Sequence, residues 1–299
     1  MRTIGTVVRG VRAPIFQAGD DLAKEVCKAV LAASEEAQAP LRDRDVIAVT
    51  ESVVARTQGN YATLEQIAAD VRAKIPAGAD GKRTAAVVFP ILSRNRFSML
   101  LKGISMGVDK LYIVLKYPSD EVGNELISLD RLEEKGVDPY RDVLTEAKYR
   151  ELFGENVLHP FTGMDYVKLY REYARNSEIL LANDARAVLP YAQDVIACDI
   201  HTRARTVRLL KEAGARTALT LADLLNAPVD GSGYNPDFGL YGSNLATENS
   251  VKLFPRDCEK FVEKLAGMLR AESGKQVEVM VYGDGAFKDP VGGIWELAD

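Results

Sequence analysis

The chain is poor in cysteine, histidine and tryptophan, with three, two and one among 299 residues. Cys27, Cys198 and Cys258 have no close pair, so neither a disulfide framework nor a cysteine-rich zinc site is encoded. They read as buried, reduced thiols of a cytoplasmic protein. With His159 and His201 the sole imidazoles, histidine-based metal chemistry is excluded too, and any metal would be a hard cation held by oxygens. No apolar run approaches the ~18 residues that a membrane-spanning helix needs, and residues 1–10 lack the apolar stretch of an export signal. A basic excess is absent as well: 38 Lys and Arg face 43 Asp and Glu, a formal net charge of -5, which argues against a general nucleic-acid binder. Neither GxxxxGK[ST] nor a GxGxxG after a strand occurs, and nothing resembles a nucleophile elbow. No internal repeat or low-complexity tract is visible.

What is present is ample core material, 47% hydrophobic residues with 27% charged, on a length that suits one large or two modest domains. Leu22, Val26, Val30 and Leu31 recur at helical spacing behind Asp20, the expected N-cap. A short β-branched run at 46–50 predicts a buried strand, residues 51–61 are small and polar, and 63–75 form an amphipathic helix. A Pro/Gly cluster at 76–81 marks a boundary. Strand patterns at 84–92, 111–115, 178–181 and 195–198 then alternate with helical ones at 97–106, 166–175 and 206–214, the last closed by Gly214. Residues 129–154 show no sharp period. A second breaker cluster at 226–236 precedes a short apolar segment at 251–254, a helix at 259–272 and a strand at 277–281. Alternation of this kind predicts a mixed α/β fold, a sheet with flanking helices. The close at Trp295 to Asp299, apolar residues straight after a Gly-Gly turn, reads as an interruption of a longer sequence.

Three segments carry chemistry. Ser93, Arg94, Asn95 and Arg96 stand between a strand and a helix start, with Lys102 one turn beyond Ser98. Backbone N–H groups and arginines there make a phosphate or carboxylate pocket, the alternative being two exposed arginines on a surface loop. His201 and Arg203 follow the strand at 195–198 in the same way, and in open α/β sheets ligands gather at the carboxyl ends of strands, so both cationic loops can face one crevice. A structural histidine capping the loop is the alternative. Asp284 and Asp289 follow the strand at 277–281 between glycines, suited either to a cation and its phosphate or to an acidic turn.

Segments 19–22 with 43–59, 239–244 with 251–257, and 277–287 resemble, in order and spacing, three motifs of the coenzyme F420-0:L-glutamate ligase family. The second of these, Gly239 to Asn244, is similar to the family's "GIDxSN". The resemblance implies a GTP-dependent amide-forming ligase that phosphorylates a carboxylate of F420-0 and lets the amine of L-glutamate attack the acyl phosphate. It also implies Mg2+ or Mn2+, a small-molecule carboxylate, L-glutamate and nucleotide as partners, with no nucleic acid or membrane, and a homodimer. Carried over by position, Ser243 and Asn244 match a nucleotide-contacting pair and Gly59 the turn glycine. Ser52, Arg56 and Gln58 occupy nucleotide-facing positions where the family has two lysines and a glutamate. Asp284 matches a metal ligand. Tyr241 falls on a metal-binding aspartate, which leaves Asp289 or Glu248 to supply a second carboxylate. The expected organisation is a discontinuous ligase-like module at 1–81 and 226–299 around an inserted α/β subdomain at 82–225. The departures at Ser52, Gln58 and Tyr241 support an alternative, a catalytically degenerate protein that binds a phosphorylated or carboxylated small molecule.

Overall fold

Short runs of β-branched and small apolar residues, split by helices with one apolar face, build the chain as the alternation predicts. The computed structural model describes residues 5–283 and the backbone of 285–288 and 295–298. The chain divides into two units, one made of 1–60 with 255–283 and a second of 61–254 with 284–299.

The first unit begins with α1 (Leu22–Glu36), β1 (Val46–Thr50) and α2 (Glu51–Thr57). Asp21, not Asp20, caps α1: its carboxylate accepts from Lys24 N, while Asp20 accepts from Gln17 N. The start of the small, polar stretch after β1 is helical, and the Thr50 hydroxyl caps α2.

In the second unit the chain forms β2 (Tyr61–Thr63), α3 (Leu64–Lys74), β3 (Thr84–Val88), α4 (Phe97–Met106) and β4 (Lys110–Leu115). There follow α5 (Leu129–Glu134), β5 (Leu144–Thr145), α6 (Glu146–Phe153), α7 (Tyr166–Tyr173) and β6 (Ser177–Leu181). The unit continues through β7 (Asp194–Ala197), α8 (Arg203–Glu212), β8 (Thr217–Thr220), β9 (Asn244–Thr247) and β10 (Ser250–Lys252). Ser128 and Thr145 cap α5 and α6, which explains two helices in a stretch without periodicity. The first unit resumes with α9 (Cys258–Ser273) and β11 (Glu278–Tyr282). The backbone of β12 (Gly285–Lys288) and β13 (Trp295–Ala298) pairs antiparallel.

The main sheet has six strands in the order β5-β6-β4-β3-β7-β8. All are parallel except β5, which is antiparallel to β6. Taken along the chain, the parallel strands therefore lie third, second, first, fourth, fifth. The connection reverses direction between β3 and β7, the switch point at which open α/β sheets bind ligands. Period-two alternation feeds two cores: Ala85, Val87, Ile113 and Leu181 enter a cluster with α3, α4 and α7, whereas Ala86, Val88, Val114 and Ala197 pack on the opposite face with Leu210 of α8. The expected α/β class with helices flanking the sheet is what the structure contains.

In the first unit, β1 and β11 pair in parallel and set Ile47, Val49 and Val279 against α1 and α9, with Cys27, Leu265 and Leu269.

Candidate functional site

The first unit assembles its motif residues at the end of α2. Gly59 N donates to Arg56 O and Asn60 N to Ala55 O, both at 3.0 Å, the paired bonds that end a helix when the residue after the cap is left-handed. Gly59 has φ +60°, a conformation that favours glycine. The Gln58 amide lies against one residue of the returning chain: its Nε2 donates to Arg256 O and its Oε1 accepts from Arg256 N at 2.8 Å. The Arg256 guanidinium in turn donates to the buried Asn60. Segments nearly two hundred residues apart thus share one turn, and Gln58 serves there as a backbone clamp. Arg56 is exposed and Ser52 half-buried in the first turn of α2.

Glu51, which sequence reasoning passed over, stands where β1 ends beside β11, and any side chain at Gly283 would run into its carboxylate. Its signal was placement at a strand's carboxyl end. Asp284 and Asp289 lie outside the described residues.

The second unit draws three predicted segments to the carboxyl edge of its sheet. The loop after β3 is tied to α7, since Tyr170 Oη donates to Ile91 O and accepts from Ser93 N. It is tied to β9 by Leu245 N donating to Asn95 O at 2.8 Å. Arg96 and Asn95 are buried and Arg94 half-buried, so the alternative of two exposed surface arginines is overturned. Lys102 is half-buried on α4. On the β7 side, the Tyr241 hydroxyl is shared between the carbonyls of Ala197 (3.2 Å) and Asp199 (3.0 Å), and Arg203 lies 4.9 Å over the Tyr241 ring. The loop of residues 199–205 and the segment 241–245 therefore meet, while His201 is exposed. Ser243 is buried, its hydroxyl donating to Leu240 O, and Asn244 opens β9 with its amide donating to Gly242 O.

Two further side chains belong to this edge. Lys116, the first residue after β4, bonds Glu121 at 2.5 Å and lies 4.9 Å over the Phe89 ring. Phe89 itself follows β3 at φ +57°, a strained conformation for an aromatic residue. The rule that pointed to Arg94 and His201 also applied to the end of 111–115, but the charged pair is split by four intervening residues and was not legible as a pair.

Burial sets the electrostatics. It pushes the Glu121 carboxyl above 4.5; Lys116 opposes the shift and the charge of Asp199 adds to it. Burial, then the same Asp199 charge, raise the Cys198 thiol well above its ordinary value, which makes it inert. Next to Glu121, burial also opposes ionisation of Asp120, yet hydrogen bonds from His159 and Asn124 outweigh it and hold that carboxyl below 3.8. His159 Nδ1 accepts from Phe161 N and Thr162 N, so its Nε2–H donates to Asp120 at 3.0 Å.

Tyr241 does not fit the metal role of the position it occupies. Burial raises its phenol, and the retained proton is committed to two backbone carbonyls. Among the described residues no group of three or more His, Cys, Asp or Glu could hold a metal ion. No helix of the described residues is long and apolar enough to cross a membrane.

Comparison with known proteins gives no match among the curated proteins or the solved structures. The family model of the F420-0:Gamma-glutamyl ligases matches residues 10–299 and so spans both units and the segment 82–225. The chain belongs to the F420-0:gamma-glutamyl ligase family.

Proposed function

We propose that the protein is a nucleotide- and metal-dependent ligase that joins a small-molecule carboxylic acid, of the F420-0 class, to L-glutamate. A carboxylate is a poor electrophile until one of its oxygens becomes a phosphate leaving group. GTP supplies that phosphate, the glutamate amine attacks the acyl carbon, and inorganic phosphate departs. The observation that carries the reading is the family match over residues 10–299, which includes every motif segment. Ser52, Arg56, Gln58, Gly59, Ser243 and Asn244 are the residues that the family resemblance assigns to nucleotide in this proposal. Arg94, Asn95, Arg96, Lys102, His201 and Arg203 are its anion-binding residues. Asp284 and Asp289 are its ligands for Mg2+ or Mn2+. The reading of 82–225 as an insertion within a ligase-like module, a homodimeric state and a cytoplasmic setting belong to the same proposal; three cysteines without a disulfide accord with the last.

Purified protein given GTP or ATP with Mg2+ or Mn2+ is expected to consume nucleotide only when acceptor acid and glutamate are both present. Calorimetry that detects no metal-dependent nucleotide binding would overturn the reading.

A second reading, a ligand-binding protein that has lost the chemistry, is favoured by Gln58 and Tyr241, whose polar groups are engaged with backbone. It predicts phosphate-ester or carboxylate binding without turnover. Unchanged affinity in an Arg94→Ala, Arg96→Ala double variant would count against it.

A further inference from the structure

At the carboxyl edge of the main sheet two charged side chains, Asp199 and Lys116, stand near the anion-binding Arg203 and have been given no role above. Asp199 is fully buried two residues before the exposed His201–Thr202 turn. Its Oδ2 accepts from the hydroxyls of Thr202 (2.6 Å) and Thr206 (3.0 Å), whereas Oδ1 has no hydrogen-bond partner among the described residues. A buried acceptor left unmet costs about 1–3 kcal/mol, and more when charged, so a donor brought to Oδ1 would be favoured.

Positive groups stand on the same edge. Lys116 is half-buried after β4. Thr202, the N-cap residue of α8, gives its hydroxyl to Asp199 and leaves the first turn of that ten-residue helix without a side-chain cap. Arg203 begins the same turn. A simple anion would meet Asp199 and Glu121, and a simple cation would meet Lys116 and the helix terminus. A zwitterion satisfies both.

We propose that the edge formed by β3, β4 and β7 binds a free α-amino acid, with its ammonium on Asp199 Oδ1 and its carboxylate toward Lys116 and the first turn of α8. The choice of L-glutamate as that amino acid rests on the ligase reading. The edge is the switch point of the sheet, where such ligands bind, and the strained Phe89 backbone flanks it. Asp199 and Lys116 then act as specificity residues that orient the amine.

Titration calorimetry on the full chain without nucleotide tests the site. L-Glutamate is expected to bind, and glutarate, which lacks the amine, at least tenfold more weakly. Asp199→Asn and Lys116→Met should each weaken glutamate binding at least tenfold, while Lys168→Met on α7 leaves it unchanged. Should Asp199→Asn fail to fold, as judged by circular dichroism, Lys116→Met decides alone. No glutamate binding to the native chain, equal affinity for glutarate, or undiminished affinity in a folded Asp199 or Lys116 variant would each overturn the proposal. Glutamate binding without nucleotide consumption supports the site and counts against the ligase; consumption without this binding does the reverse.

Discussion

The Tyr241 hydroxyl lies 3.0 Å from the backbone carbonyl oxygen of Asp199, joining a residue of a ligase motif to the strand end at the centre of the main sheet. The contact turns a position of expected metal chemistry into a structural tie. It also holds the loop in which one Asp199 carboxylate oxygen has no partner among the described residues.

Tyr241→Phe removes that tie and leaves two buried carbonyls to share no donor. A loss of about 1–3 kcal/mol is expected in urea unfolding. Tyr241→Asp, which restores the acid of the family motif, sets a second carboxylate beside Asp199. Its loss should be larger, about 3 kcal/mol or more. Native stability in the aspartate variant would show that the segment is not packed against β7.

Gln58 and Arg56 separate structural from ligand-directed roles in one turn. Gln58→Ala removes both bonds to the Arg256 backbone and should cost about 1–3 kcal/mol. Arg56 is exposed, so Arg56→Ala should change stability by no more than about 0.5 kcal/mol. A fall in GTP affinity in the Arg56 variant alone, measured by calorimetry, would mark it as a nucleotide contact.

Gly242 has φ +68°, and a Cβ there would fall 1.9 Å from Phe254 Cζ. The Phe254 ring is held edge-on against Phe238 at 5.7 Å and has little freedom to retreat. Gly242→Ala is expected to cost about 1–3 kcal/mol from backbone strain alone, with the clash in addition. Adding Phe254→Leu should relieve part of the clash and leave the strain. Thermal unfolding of the single and double variants measures the two shares.

Asp120 and Glu121 predict opposite pH slopes from adjacent positions. The Asp120 carboxyl is held below 3.8, so its contribution is present above that value and is lost as pH falls through its folded pKa. Glu121 is raised above 4.5, so its contribution is intact below 4.5 and is lost as pH rises through its folded pKa. Asp120→Asn should therefore flatten the acid limb of the melting curve against pH, and Glu121→Gln the limb above pH 4.5. An unaltered upper limb in Glu121→Gln would contradict the buried setting of that carboxyl.

Local patterns determined much of this protein. Apolar β-branched runs marked β1, β3, β4, β6 and β7, and helical spacing marked α1, α3, α4 and α9, because burial on one face leaves a period in the residues themselves. The helix α2 and the strand β8 escaped: α2 depends on the Thr50 cap and on Gly59, and β8 alternates too weakly over its four residues. Residue type and placement after a strand also singled out the loops at Asn95 and at His201, and motif order identified the family.

Only the tertiary structure decided what those side chains do. Strand order is a long-range property, so the reversal between β3 and β7 that brings the two loops to one edge has no trace in any local window. The burial of Arg96, the engagement of Gln58 with Arg256 and the tie from Tyr241 to Asp199 each depend on a partner remote along the chain. The amino acid at a position names the groups it can offer; which of them remain available to a ligand is fixed by the neighbours that folding supplies.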